Sequence, residues 1–279
     1  MKIAHVSDVH IRNHRYHEEY TAVFEELYEK LRELKPDLIV NTGDTAHTKL
    51  QLSPAYFHMT AKFFENLADI APLHVILGNH DLNLRNPGRI DAITPIVEAL
   101  DHKDIHFHKF SKEVDLGNGF VLNVLSIVDE DKWIDPTDES KVNIAMFHGS
   151  VAGVTTDTGW IMEHGDINIQ QFKPFDYVLL GDIHKTYQKL DPQGRVAYPG
   201  SLVQQNFGES MDKGFLLWDI KDKENFTCEH HPLTNPKPFV TIELTPKGKM
   251  PKNVEVTPGA RVRLVSQNNL PLDIMRRAI

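Results

Sequence analysis

Five short clusters of Asp, His and Asn punctuate this chain, and each follows an apolar run that reads as a strand. Asp8-Val9-His10 follows Ile3 to Val6, and Gly43-Asp44 follows Leu38 to Val40. Gly78-Asn79-His80-Asp81 follows His74 to Leu77, His148-Gly149 follows Val142 to Phe147, and Gly181-Asp182-Ile183-His184 follows Tyr177 to Leu180. In open α/β sheets ligands bind in the crevice beyond the carboxyl ends of the strands, so five such ends point at one site. The donors are hard oxygens and imidazoles, with no thiolate among them. That set suits Mn²⁺, Mg²⁺, Fe or Zn²⁺, and one Asp could bridge two ions.

The clusters differ in specificity. Asp8 and His10 stand at i and i+2, as do Asp182 and His184, which on an extended strand end puts both side chains on one side. Alone, such a pair reads as a turn Asp beside a surface His, and Asp44 after Gly43 reads as an Asx turn. Gly78-Asn79-His80-Asp81 is more specific: the glycine lets backbone pass close to a ligand, Asn79 offers a neutral carbonyl oxygen, and His80 offers a titratable proton. His148 alone reads as a satisfied core histidine. Five clusters after five strands carry the argument together.

The elements that position them alternate in the first half. Tyr20, Val23, Phe24, Leu27, Tyr28 and Leu31 repeat at helical spacing within Tyr16 to Leu34, and Pro36 ends that helix. A second helix opens at Ser53-Pro54, and a third is expected from about Arg89 to Leu100, after a turn-rich loop from Asn83 to Gly88. This β-α-β-α rhythm predicts a parallel or mixed sheet with helices outside it. From His106 onward, short strands and turns such as Gly117-Asn118-Gly119 predict a second, largely antiparallel sheet packed on the first. The expected organisation is a domain over 1–231, a linker over 232–238 (Pro-Leu-Thr-Asn-Pro-Lys-Pro), and a small region over 239–279 with two strands.

Bulk properties narrow the setting. The chain has 279 residues, 41% hydrophobic and 25% charged, enough for a real core. No apolar stretch is long enough to span a bilayer, no signal-peptide core opens the chain, and Cys228 is the single cysteine. A reducing, cytoplasmic setting without membrane contact is the expectation. The net charge of −9 is uneven: from Lys237 onward eight Lys/Arg face three Asp/Glu, a local +5 that leaves −14 for the rest. Two divalent ions would offset four units of it, so net charge neither supports nor excludes a phosphate-rich substrate.

The motif order resembles the calcineurin-like metallophosphoesterases, whose motifs run Asp-x-His, Gly-Asp, Gly-Asn-His-Asp/Glu, His and Gly-His-x-His, and the match extends from Met1 to about Ile220. Within that superfamily the chain is similar to the SbcD-type nuclease subunit of double-strand-break repair complexes. The narrower features are His47 trailing Gly43-Asp44-Thr45-Ala46, the phrase Ala197-Tyr198-Pro199-Gly200-Ser201-Leu202, and Gln205-Asn206-Phe207-Gly208-Glu209 with Lys213-Gly214-Phe215. The resemblance implies an α/β fold of two packed mixed β-sheets flanked by helices, an α/β/β/α sandwich, with the start of a small C-terminal DNA-capping domain.

It also implies a two-metal site. Asp8, His10, Asp44 and His184 would hold the first ion; Asp44, Asn79, His148 and Asp182 would hold the second, with Asp44 bridging. Asp182 departs from the family, whose fifth motif begins with His; as a ligand it would make that site harder and favour Mn²⁺, with Mg²⁺ the alternative. His80 would be a catalytic acid, His47 would lie near the scissile phosphate, and Asp81 would orient His80. Two cations about 3.5–4 Å apart can share a hydroxide that attacks phosphorus in line. The implied function is a metal-dependent DNA exonuclease and endonuclease, nucleoid-associated and working in repair or recombination. Arg12, Arg15, Lys49, Arg85, Arg89 and Lys185, in or beside the motif loops, are candidate phosphate contacts. The implied partners are DNA, a second copy of the chain through the helices at Ser53 to Asp69 and Arg89 to Leu100 (Phe57, Met59, Phe63 and Phe64), and, for a full-length chain carrying the docking segment that this sequence lacks, an SbcC-type coiled-coil ATPase. The chain stops at Ile279, before a capping domain would usually finish, which fits either a truncated chain or a compact relative. A small-nucleotide phosphodiesterase or phosphatase shares the five motifs. A non-catalytic scaffold is the remaining alternative, but such relatives lose the motif histidines, and His80, His148 and His184 are present.

Overall fold

The computed structural model describes residues 1–267, apart from 87, 166 and 253. In chain order the elements are β1 (Lys2–Val6), α1 (His17–Leu34), β2 (Leu38–Asn41), α2 (Pro54–Ala68), β3 (Leu73–Ile76), α3 (Thr94–Leu100) and β4 (Ile105–His108). There follow β5 (Lys112–Gly117), β6 (Phe120–Leu125), β7 (Val142–His148), β8 (Tyr177–Gly181), β9 (Gln188–Lys189) and β10 (Val196–Tyr198). The chain then forms β11 (Gly214–Ile220), β12 (Phe226–Pro232), β13 (Phe239–Glu243) and β14 (Arg261–Val265).

One six-stranded sheet has the order β12-β11-β1-β2-β3-β4, with β1 to β4 parallel and β11 antiparallel to β1. β1, β2, β3 and β11 are buried on both faces, which is why they read as largely apolar runs, whereas the edge strands β4 and β12 are partly exposed. Ile3, Leu38, Val40 and Ile76 face the second sheet; Ala4, Val6, Ile39, Leu73 and Val75 face the helices. On the helical side α1 presents Tyr20, Val23, Phe24, Leu27 and Leu31, and α2 presents Phe63, Phe64 and Leu67. Ser53 Oγ accepts the Tyr56 amide at 3.1 Å and caps α2, with Pro54 at its first position. The same hydroxyl donates to the Asn13 carbonyl at 2.8 Å, tying the start of α2 to the loop after β1.

The second sheet, ordered β5-β6-β7-β8-β10-β9, corrects the expectation of a largely antiparallel layer. β6, β7, β8 and β10 run parallel, and only the edge strands β5 and β9 pair antiparallel. The segments 126–141 and 149–176 are long enough for the crossovers that parallel pairing requires. β6 and β7 are buried along their whole length, the parallel-sheet pattern. The outer face of this sheet is covered by the segment 149–175, through Val151, Val154 and Phe172.

Two further expectations change. α3 begins at Thr94 rather than near Arg89, because Asp91 Oδ1 accepts the amides of Ile93 and Thr94 at 3.0 and 2.7 Å and closes a turn there. Phe63 and Phe64 are completely buried and Phe57 and Met59 only partly exposed, so the first two cannot serve a dimer face. The expected linker overlaps the end of β12 and is docked on α1: Leu233 is buried and the Thr234 amide donates to Glu26 at 2.8 Å. β13 and β14 pair in parallel, with Arg261 bonded to Glu19 and its guanidinium 4.2 Å over the Tyr16 ring. Pro87 in the expected Asn83–Gly88 loop, and 268–279 of the expected capping region, lie outside the described residues. Phe63→Ala, which empties the contact with Phe24 at 4.4 Å between ring centres, should destabilise the protein by about 3–5 kcal/mol in urea unfolding. A change below about 0.5 kcal/mol, typical of surface positions, would instead place Phe63 on the surface.

Candidate metal centre

The carboxyl ends of β1, β2, β3, β7 and β8 meet at one rim. The chain leaves strand geometry there: Asp8 and His10 have φ of 50°, Asp44 53° and Asp182 102°. This corrects the expectation that Asp8 and His10 share one side of an extended strand. Non-glycine residues in this region cost roughly 1–3 kcal/mol each and persist only when their surroundings over-determine them. Here backbone bonds between loops do so: Asp8 N to Gly43 O at 3.1 Å, His10 N to Asp44 O at 3.0 Å, and Ile11 N to Thr45 O at 2.8 Å. The loops also pack backbone to backbone. A Cβ at Gly78 would lie 2.3 Å from the Asp44 amide nitrogen, and one at Gly181 2.3 Å from the Thr42 carbonyl oxygen.

Three sets of donor atoms lie within 4.8 Å of one another: Asp8, His10 and His184; His10, Asp44 and His80; and Asp8, Asp44 and His148. Asp44 divides its oxygens, with Oδ2 3.6 Å from His10 Nε2 and Oδ1 3.4 Å from His148 Nε2. Asp8 Oδ1 stands 3.8 Å from His10 Nε2 and 3.7 Å from His184 Nε2. On the other flank Asp182 Oδ1 accepts Asn79 Nδ2 at 3.2 Å and lies 3.8 Å from His148 Nε2. All seven expected ligands are therefore gathered into one cluster, Asp182 included.

The donor set fits divalent cations. Asp8 Oδ1 and His148 Nε2 are buried with no hydrogen-bond partner, and His10 Nε2 approaches His184 Nε2 to 2.9 Å. Outer partners aim the imidazoles. His148 Nδ1 donates to the Thr42 carbonyl at 2.7 Å, and His184 Nδ1 to Glu209 Oε1 at 2.8 Å, which leaves each Nε2 turned inward. Burial pushes the Asp44 carboxyl up to about 7, with Asp8 adding repulsion against the pull of His148. Burial likewise raises Asp8 and lowers His10 well below the usual imidazole range. Burial also disfavours charge on His148, but Asp44, Asp8 and Asp182 outweigh it and hold that imidazole above its ordinary value. Buried carboxylates that hold their protons more tightly than usual would release them on binding a cation.

The remaining expected site residues divide. His80 sits against His10, 4.8 Å between ring centres, with its Nδ1 on the His47 carbonyl at 2.9 Å. His47 lies 5.7 Å from the His10 ring, and its Nε2 accepts Arg12 Nη1 at 2.7 Å. Burial and Arg12 lower His47 to about 4. Lys49 reaches the Asn79 carbonyl at 3.0 Å, and Lys185, next to His184, bonds Thr155 Oγ1 at 2.6 Å. Arg15, Arg85 and Arg89 are exposed, with no described contact joining them to the cluster.

Asp81 does not orient His80. Its buried carboxylate accepts the amides of Ala46 at 2.7 Å, Gly78 at 2.9 Å and Thr45 at 3.3 Å, holding the β3 loop against the β2 loop. Glu209 and Lys213 stand out in the sequence only as part of a nuclease-like phrase, which gives neither a role in the site. The Lys213 ammonium is buried between Asp157 at 3.1 Å and Glu209 at 3.5 Å, and donates to the His184 carbonyl at 2.7 Å. Their sequence signal was an acid and a base four residues apart, which is common on solvated surfaces.

Asp81→Ala should destabilise the protein by about 3 kcal/mol or more, since up to three buried amides lose their acceptor, and Asp81→Asn by less. Lost turnover with unchanged unfolding would restore the orienting role. In calorimetric Mn²⁺ titrations, Asp182→Ala should lose or weaken one binding event of two. Unchanged stoichiometry and affinity would exclude Asp182 as a ligand.

Comparison with known proteins agrees with this geometry. The calcineurin-like phosphoesterase family pattern matches residues 1–186. The protein R555 of Acanthamoeba polyphaga mimivirus is 34% identical over 281 residues, covering 95% of this chain and 20% of that protein. The putative phosphoesterase 244L of Invertebrate iridescent virus 6 is 27% identical, covering 67% of this chain and 66% of that one. The DNA double-strand break repair protein Mre11 of Methanopyrus kandleri is 25% identical, covering 78% of this chain and 53% of that one. The chain thus spans less than two thirds of the length of each of these relatives. With two mixed sheets and a cluster of oxygen and imidazole donors at their shared rim, the chain belongs to the calcineurin-like phosphoesterase family, whose members use divalent metal ions.

Proposed function

We propose that this chain is a metal-dependent phosphodiesterase acting on DNA, a nuclease of the double-strand-break repair kind, with Mn²⁺ as its working metal. The observation that carries this reading is the convergence of seven side chains from five loops, with Asn79 and Asp182 joined to the cluster through their mutual hydrogen bond and His148, bordered by His80 and by the Arg12–His47 pair. Two clefts, of about 450 and 390 Å³, flank the donors on the His184 and His148 sides, as a phosphodiester with a substituent on each side of phosphorus needs. The likeness to the Methanopyrus protein supports DNA as substrate.

Asp8, His10, His184 and Asp44 would hold one cation, and Asp44, Asn79, His148 and Asp182 a second. Bound divalent cations would supply Lewis-acid polarisation of the phosphoryl oxygens and an acidified water. His80, with Nδ1 committed to the His47 carbonyl, has Nε2 left to give a proton to the leaving oxygen. Burial, with Arg12 adding repulsion, lowers His47 to about 4, and Arg12 brings a permanent positive charge to the rim, where a backbone phosphate would sit. Homodimerisation would have to use the partly exposed Phe57 and Met59 side of α2.

With Mn²⁺ and labelled linear duplex and single-stranded DNA, the protein should degrade both. His80→Ala should lower kcat by roughly 10²- to 10⁴-fold with metal binding retained. Cleavage of bis-p-nitrophenyl phosphate with DNA left intact would move the substrate to small nucleotides. Turnover of neither would count against the enzyme.

A further inference from the structure

The cleft of about 450 Å³ on the His184 side has walls that metal chemistry does not explain. Its floor is Asp182, His184 and Lys185; one wall is the turn Thr156 to Trp160, and the other is Asn206 to Glu209. Trp160 is 57% exposed at its edge. The chain has three tryptophans. Trp218 is completely buried, and Trp133 is partly buried with its Nε1 donating to the Ser126 carbonyl at 2.9 Å. Trp160 alone among them faces solvent.

The turn that carries it is held rigidly. The Thr156 amide donates to the Trp160 carbonyl at 2.9 Å and the Gly159 amide to the Thr156 carbonyl at 3.0 Å, with Gly159 at φ +83°. Thr155 bridges to Ile161, and Gln188 takes the Thr155 amide at 2.7 Å and returns a bond to its carbonyl at 3.0 Å. Buried Lys213 then joins Asp157 of this turn to Glu209, which holds His184. The indole is therefore fixed relative to the donor cluster through a chain of three polar contacts.

We propose that this cleft is a subsite for the nucleobase next to the scissile phosphate, with the Trp160 indole as its stacking face and Lys185 as the adjoining phosphate contact. The proposal rests on the phosphodiesterase reading of the neighbouring cluster. The cleft combines apolar surface with polar side chains that keep spare bonding capacity, which suits a base better than an apolar protein side chain. Thr156 and Thr158 bond each other at 2.9 Å, and Asn206 donates to Glu209 at 3.0 Å and accepts the Gly208 amide at 2.7 Å, yet each retains a further donor or acceptor position, and a base offers a π-face together with donors and acceptors at its edge. Because every base has such a face, the subsite recognises a base without selecting its identity.

The test compares wild type with Trp160→Leu and Trp160→Phe on single-stranded oligothymidylate in Mn²⁺, using intact strands and strands with one abasic nucleotide at each position around the cut. In wild type, one abasic position should raise KM about 5- to 140-fold, the loss expected for one stacked base. Trp160→Leu should raise KM for the intact strand by a similar factor and be indifferent to that abasic position. Trp160→Phe should keep part of the difference. An abasic penalty that persists undiminished in Trp160→Leu would overturn the proposal. A second arm needs no turnover. In EDTA, oligothymidylate should quench wild-type tryptophan fluorescence, and a fully abasic strand of equal length should not. Equal responses to the two strands would overturn the subsite, whether or not DNA is cleaved. Quenching without cleavage would keep the subsite and remove the nuclease.

Discussion

Asp44 stands where the ends of two sheets meet, with one oxygen turned to His10 and the other to His148, and almost no water around it. Buried carboxylates are costly unless their charge is balanced. Asp8 is buried beside it, and Asp182 closes the same cluster from the next loop. Much of the surrounding architecture answers this crowding. His80 gives its backbone amide to Asp44 at 2.7 Å, Ser7 gives a hydroxyl to Asp8 at 2.5 Å, and the Asp182 amide donates to Asp8 at 3.0 Å. What those bonds leave unbalanced is the negative charge that makes a cation site.

Holding these groups together against their repulsion requires a rigid frame, and the frame is the sheet pair. The parallel strands bring their carboxyl ends to one rim, and the inter-loop amide bonds force four of the donors into left-handed backbone. Tyr20 of α1 reaches the same loop, its hydroxyl bonded to the His10 carbonyl at 2.6 Å. Local strain is thus carried by packing far from the chemistry, including the aromatic layer between α1 and α2.

Much of this could be read from residue order. Every donor followed an apolar run, and each run became a strand, because a strand buried on both faces has no polar alternation to obscure it. Ser53-Pro54 marked the start of α2 through the ordinary chemistry of a helix cap. The second sheet was misread for a related reason: short strands separated by turn residues suggest hairpins, whereas direction depends on long crossovers whose paths leave little local pattern. Asp81 was misread because its partners are backbone amides, which have no sequence identity. The pairing of Lys213 with Glu209 was not legible, although both residues belong to the nuclease-like phrase, because burial of a charged pair is decided by the whole fold. Phe63 and Phe64 follow the helical period onto the buried face of α2, and that period outweighed the expectation of an interface there.

The close approach at Gly78 and Gly181 bears on how such a protein can change over generations. A side chain at either position would collide with Asp44 or with the Thr42 backbone, so the spacing of the donors cannot drift by single replacements. The cleft walls are different: the turn around Trp160 and the segment Asn206 to Glu209 are loops outside both sheets. Changes in these loops can therefore reshape the cleft while leaving the donor cluster untouched. Replacement costs less in these loop walls than at the two glycines, where any side chain meets neighbouring atoms closer than 3 Å.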